Sequence, residues 1–239
     1  MSRTRTVIRG VILGAIVTAC AAGCSASGSS AAPASLQTQT SSGTKAEPAA
    51  STAEQGTARP TGVKAKAAVS KAAVITGKDI TAVGDSVMLA VSVQLEQEFP
   101  GIYVDAVVSR HTDEGLSVLQ GLAASGRLRP VVIVGLGTNG GVSTQQVQQL
   151  MAIVGAKREV IMVNTLVPLP YEQGTNSVLA DAARTYPNVV LADWNKAISG
   201  HVSMLRPDGI HPLAPGAKVY VAMIKTAVTQ AAQSGRVSG

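Results

Sequence analysis

Aromatic, charged and cysteine residues are all scarce in this chain. Of 239 residues, two are Cys, one is Trp, one is Phe and four are Tyr, and aromatics make up 3%. A core therefore has to be filled by Val, Ile, Leu and Ala, as strands buried on both faces prefer. Charged residues reach 14%, where about 25% is usual. Both cysteines, Cys20 and Cys24, stand near the start. From residue 79 onward no disulfide and no thiolate metal site is possible. The three histidines, His111, His201 and His211, have no carboxylate or Cys cluster around them and make a poor metal set. No metal and no cofactor is expected.

The charge excludes a further class. The formal net charge is +6, but residues 1–78 hold 9 Lys/Arg against 2 Asp/Glu, and residues 79–239 hold 11 against 12. The basic character belongs to the N-terminal segment. The remainder is nearly neutral and lacks the basic–aromatic pattern of a nucleic-acid binder.

Long apolar runs are missing too. Residues 11–19 form a short apolar stretch behind Arg3, Arg5 and Arg9, too short to span a bilayer and suited to a secretory signal. Val17-Thr18-Ala19-Cys20 resembles a bacterial lipobox with Cys20 as the modified residue; Ala21-Ala22-Gly23-Cys24 is a second candidate. Two acyl chains on one Cys would anchor stably. The expectation is an extracytoplasmic chain, lipid-anchored to the cell membrane or secreted, with residues 1–24 as its signal peptide. An ordinary signal with incidental cysteines is the alternative. Residues 25–78 are rich in Ser, Ala, Thr, Gly and Pro and show no apolar periodicity, which predicts a disordered linker. Its reach is about 40 Å for about 54 residues.

From residue 79 to 239 apolar runs alternate with helical patterns. Strands are predicted over 80–83, 102–108, 131–136, 160–164 and 189–192. Helices are predicted over 87–99, 113–125, from Ser143-Thr144 to 154, over 175–185, and over 213–233 with Pro215 in the first turn. Five strands alternating with helices predict an α/β fold, a three-layer α/β/α sandwich around a five-stranded parallel sheet. Ligands in such sheets bind beyond the carboxyl ends of the strands. That rim would carry Ser86, Ser109-Arg110, Thr138-Asn139 and Thr165.

The rim has the ingredients of nucleophilic catalysis. Ser86 follows Gly84-Asp85 at a strand-to-helix turn; a plain helix cap is the ordinary role of such a Ser. A Ser nucleophile needs a base, and the base needs an orienting acid. Asp208 and His211 are three apart, and a helical turn there would bring the carboxylate to the imidazole. His111 and His201 compete as bases. Asn139, in Gly137-Thr138-Asn139-Gly140-Gly141, offers an amide donor for an oxyanion or a residue suited to a Gly-rich turn. The Gly-x-Ser-x-Gly elbow of α/β-hydrolases is absent, since Met88 replaces its second Gly.

Gly84-Asp85-Ser86, Gly137-Thr138-Asn139-Gly140 and Asp208-Gly209-Ile210-His211, in this order, resemble the SGNH (GDSL-type) hydrolase superfamily. Val108-Ser109-Arg110, Asn164-Thr165, Asn176, Asp193-Trp194 and Pro212 extend the likeness to the extracytoplasmic SGNH domain of bacterial cell-surface and peptidoglycan O-acetyltransferases. The likeness covers residues 79–225. It implies a flavodoxin-like SGNH fold, with Ser86 as nucleophile, His211 as base and Asp208 as its orienter. The Ser86 amide and the Asn139 side chain would share the oxyanion hole. The superfamily's second-block Gly is replaced here by Ser109 or Arg110, one of which would supply the remaining backbone donor. Residues 166–170 include Leu166 and Leu169 where such relatives often carry basic residues. The resemblance implies an acyl-ester enzyme, acetylesterase or O-acetyltransferase, acting on a cell-wall glycan or another acylated carbohydrate. The sequence has no multi-span membrane region, so a transferase would draw on a separate membrane acyltransferase or a soluble acetyl donor. A catalytically silent glycan-binding envelope lipoprotein on the same fold is the competing expectation.

Overall fold

The computed structural model describes residues 74–234. The expected signal peptide with Cys20 and Cys24, and the linker up to residue 73, lie outside the described residues. Residues 74–78, the last of that linker, lie inside them. Gly77–Asp79 make a 3-10 turn, and Gly77 is buried against the Phe99–Pro100 backbone.

Five strands form the centre: β1 (Ile80–Gly84), β2 (Tyr103–Ala106), β3 (Val131–Gly135), β4 (Glu159–Val163) and β5 (Val189–Ala192). All pairings are parallel, in the order β2-β1-β3-β4-β5. Alternating strand residues enter opposite cores, as a two-residue period requires. Ile80, Ala82, Val131, Ile133, Ile161 and Val163 face α1 (Ser86–Ala90), α2 (Ser92–Glu98), α6 (Trp194–Ser199) and α7 (Ala214–Gln233). Val83, Val132, Val134, Val160 and Met162 face α3 (Thr112–Ala124), α4 (Thr144–Val154) and α5 (Glu172–Thr185). The three-layer α/β/α sandwich expected from the sequence is the fold observed. Strand order reverses between β1 and β3, the switch point where such sheets open a crevice.

Several boundaries differ from expectation. The helix predicted over 87–99 is two helices, because Val91 leaves helical geometry at φ −114°, ψ 4°. The Ser92 hydroxyl takes the Leu89 carbonyl and the Val91 N–H takes that of Met88, so the i→i−4 ladder is interrupted. The second strand ends at Ala106, not at residue 108. Its pairing stops at Gly84↔Ala106, and Val107 and Val108 are exposed in the loop beyond. The six-residue α6 was not predicted; its cap is Asp193, which accepts the Lys196 N–H at 3.0 Å. No helix among the described residues is long and apolar enough to cross a membrane.

Candidate active site

Gly84 ends β1 with no room for a side chain: a Cβ there would lie 2.5 Å from that of Met88. Asp85 follows, buried, and its Oδ1 accepts the Val87 N–H at 2.9 Å. Asp85 is therefore the cap of α1. Ser86 is the first residue inside the helix, with its hydroxyl free for other partners. Its N–H belongs to the first turn, where backbone donors have no helical acceptor. Burial pushes the Asp85 carboxyl above the usual carboxylate range, against the opposing pull of the Val87 and Thr138 donors. Beneath it Tyr220 is wholly buried and packs edge-on to Trp194 at 5.1 Å. Burial and the nearby Asp85 charge both raise the Tyr220 phenol.

The segment carrying His211 folds back over Ser86. Asp208 reaches the imidazole without the helical turn that the Asp208–His211 spacing would allow. Asp208 Oδ1 accepts the N–H groups of Ile210 at 2.9 Å and His211 at 3.0 Å, with Gly209 at φ +70°. This short side-chain-closed turn is a common use of Asp. Asp208 Oδ2 lies 2.9 Å from His211 Nδ1, and His211 Nε2 lies 2.8 Å from Ser86 Oγ. The backbone N–H of His211, then that of Ile210, hold the Asp208 carboxyl down to about 2 from the ordinary 3.8. An ionised carboxylate only accepts hydrogen bonds, so Nδ1 is the nitrogen that presents an N–H to Asp208, and Nε2 is the nitrogen that faces Ser86. His111 and His201 are exposed and stand outside this chain of contacts.

The oxyanion candidates sort differently from one another. Asn139 is half-buried, and its Nδ2 donates one N–H to the Arg110 carbonyl at 3.3 Å. An amide nitrogen has two N–H bonds, so the second is available. The Arg110 side chain is occupied elsewhere: its guanidinium pairs with Asp105 at 2.6 Å and donates to the Gly84 and Asp105 carbonyls. Any contribution of Arg110 to the rim therefore comes from its main chain. Ser109 has φ +60° and is the one non-glycine residue with positive φ among the described residues. It holds the left-handed conformation that a Gly adopts without strain. Thr165 is buried and bound to Asn176, part of the framework below the rim and not of its surface. Asn164, Asp193 and Asn195 continue that framework.

Two contributors were not singled out from sequence. Asp85 accepts the Thr138 N–H at 3.3 Å, joining the Ser86 turn to the Asn139 turn. The Tyr171 hydroxyl donates to the Thr138 carbonyl at 2.6 Å and lies 3.3 Å from the Gly140 nitrogen. The Asp85 role was accessible from the Gly-Asp-Ser motif, in which an acid precedes the helix start; nothing local marks Tyr171.

No protein-family model matches the chain. It is 35% identical over 153 residues to a putative peptidoglycan O-acetyltransferase of Bacillus subtilis, an alignment covering 64% of this chain and 24% of that protein. The chain spans about a quarter of the length of the curated relatives it matches. The C-terminal catalytic domain of Streptococcus pneumoniae peptidoglycan O-acetyltransferase A, solved with a methylsulfonyl adduct, superposes with a TM-score of 0.59 at 22% identity. That match covers 64% of this chain and 93% of that one. A Veillonella parvula member of the lipolytic G-D-S-L family superposes with a TM-score of 0.51 at 11% identity, covering 63% and 98%.

Proposed function

We propose that this chain, which has the SGNH (GDSL-type) hydrolase fold and is related in sequence to peptidoglycan O-acetyltransferases, is a serine-dependent acyl-ester enzyme of the cell envelope. Its substrate is an acylated cell-wall glycan, and its reaction is O-acetyl transfer or ester hydrolysis. The observation that carries this reading is the unbroken line Ser86 Oγ–His211–Asp208, with contacts of 2.8 and 2.9 Å.

In the first half-reaction Ser86 Oγ attacks the ester carbonyl carbon and its proton moves to His211 Nε2. Asp208 keeps the ring oriented and stabilises the imidazolium. The carbonyl oxygen becomes an oxyanion that accepts from the Ser86 N–H and the free N–H of Asn139, with a main-chain donor from Ser109 or Arg110 alongside. As the tetrahedral carbon collapses, the sugar oxygen leaves and takes the proton from His211, and the acyl group stays on Ser86. In the second half-reaction water or a sugar hydroxyl gives its proton to His211 and attacks the acyl carbon; as the tetrahedral carbon collapses, Ser86 Oγ leaves and takes that proton from His211, which restores the starting enzyme.

Acceptor choice decides between hydrolysis and transfer. Beside the His211 loop lies a groove of about 650 Å³ lined by residues 166–170, Glu172, Gln173, Val202 and Gly209. It has no Lys or Arg, and its one carboxylate, Glu172, is taken by the Val167 N–H and the Asn195 amide, which suits an uncharged sugar. The exposed Leu169 and Val202 offer apolar contact to the ring's C–H faces, and Gln173 offers a hydrogen-bonding partner. With the segment before residue 79 as an exported, lipid-anchored tether at Cys20 or Cys24, the domain would reach wall glycan beyond the membrane. Acetyl groups would come from a membrane acyltransferase partner or an ester already on the glycan.

The test is turnover of a small acetyl ester by the full chain and by Ser86→Ala. Turnover by wild type, abolished in Ser86→Ala, supports the enzyme. Wild-type rates no higher than those of Ser86→Ala, on small and on glycan esters alike, contradict it and favour a silent binding lipoprotein. Mass analysis of glycan fragments incubated with an acetyl donor then separates transfer from hydrolysis: a gain of one acetyl group marks transfer.

A further inference from the structure

We infer that Tyr171 is a positioning residue for the oxyanion site, acting through Asn139. This rests on the reading of Asn139 as an oxyanion donor. The 137–141 turn has Gly137, Gly140 and Gly141 at positive φ. A turn with so much glycine has little conformational preference of its own, yet Asn139 sits at its centre and needs a fixed amide direction.

The Tyr171 hydroxyl addresses this need. It donates to the Thr138 carbonyl at 2.6 Å and accepts from the Gly140 N–H at 3.3 Å. These two residues bracket Asn139. A phenol is suited to the place because it donates and accepts at once. The ring also packs near the Gly141 α-carbon, where a Cβ would lie 3.4 Å from Tyr171 Cδ2. From the other side Asp85 takes the Thr138 N–H, the Thr112 hydroxyl takes the Gly141 carbonyl, and the Arg110 carbonyl holds the Asn139 amide. Tyr171 is the contact that reaches both flanks of Asn139. Removing its oxygen leaves the turn's Gly141–Gly137 and Val142–Thr175 hydrogen bonds in place but unties the two residues that flank Asn139 on this side, and lets the amide rotate away from the reacting carbonyl. A displacement on the order of an ångström can cost up to about 10²-fold in rate.

The experiment uses the full chain as wild type, Ser86→Ala, Asn139→Ala, Tyr171→Phe and the Asn139→Ala/Tyr171→Phe double variant. Initial rates of acetyl-ester hydrolysis give kcat and KM for each. Tyr171→Phe is expected to lower kcat roughly tenfold with KM nearly unchanged. In the Asn139→Ala background the same change should have almost no further effect, because the group it positions is gone. An equal loss in both backgrounds marks a merely structural contact and overturns the inference, as does Tyr171→Phe at wild-type kcat. If wild type itself is no faster than Ser86→Ala, the enzymatic reading falls and the positioning role falls with it. That outcome is distinct from wild type far above Ser86→Ala with Tyr171→Phe unaffected, which removes the positioning role alone. Should Tyr171→Phe lose its fold by circular dichroism, hydrogen exchange in the wild type decides. A protected Gly140 amide supports the clamp, and exchange at the unprotected rate overturns it.

Discussion

His211 Nε2 stands 2.8 Å from Ser86 Oγ although 125 residues separate them. The contact links the end of the first strand to the loop before the last helix. α7, which follows that loop, packs in the same core as α1 and α2. Packing on one face of the sheet therefore sets the register between Ser86 and His211.

The first prediction concerns that pair. Ser86→Ala and His211→Ala should each lower kcat by about 10³ or more, and the double variant should be no worse than either single one, because the two residues act as a unit. Losses that add in the double variant would show that they act separately. Steady-state kinetics on one acetyl ester is sufficient.

Asp208→Asn keeps the shape and removes the charge that sets the ring tautomer. A fall in kcat of about 10²–10⁴ is expected, the upper end being that of a fully buried triad acid; Asp208 is 42% exposed, which argues for less. The stability effect has a defined sign. Its carboxyl is lowered from 3.8 to about 2 in the fold. The stabilisation is therefore complete above about pH 4 and is lost as pH falls toward 2. Urea midpoints of wild type and Asp208→Asn should differ at pH 5 and converge near pH 2. A gap that widens in acid would contradict this.

On the proposed mechanism, Asn139→Ala removes one oxyanion donor. The expected loss is about 10²–10³ in kcat with KM little changed. A rise in KM at constant kcat would place Asn139 in ground-state binding instead.

Ser109 holds φ +60° at a place where glycine would be unstrained. The left-handed conformation costs an L-residue roughly 1–2 kcal/mol, and glycine's extra unfolded-state freedom returns part of that. Ser109→Gly should therefore stabilise the domain, by about 0.5–1 kcal/mol. Ser109→Val should destabilise it, because a β-branched residue fits this conformation poorly. Thermal melts of the three proteins decide. Equal melting temperatures for Gly and Val would show that the backbone there relaxes.

The parallel sheet was legible because residues 131–136, rich in β-branched side chains, and their counterparts need burial on both faces, and little else in the chain satisfies that need. Ser86 and Asn139 were legible as rim residues because each follows an apolar strand; joining them with His211 in one site came from the resemblance of the three motifs, since strand ends alone leave His111 and His201 as rivals. What was not legible depends on through-space partners. The break at Val91 comes from a hydroxyl three residues from the carbonyl it takes, within an otherwise helical pattern. The Asp208 turn is closed by its own side chain, so the spacing alone suggests a helical turn just as well. Arg110 is a charged residue that turns inward to carbonyls at the ends of β1 and β2, and Tyr171 reaches 33 residues back to Thr138. Neither relationship leaves a local pattern.

The central claim is that an ester acylates Ser86. Rapid acid quenching of the full chain during turnover of an acetyl ester, followed by peptide mass analysis, tests it directly. One acetyl group on the peptide containing Ser86, absent in Ser86→Ala and in His211→Ala, is the predicted result. Turnover without any acetyl group on Ser86, or an equal label in Ser86→Ala, would contradict it.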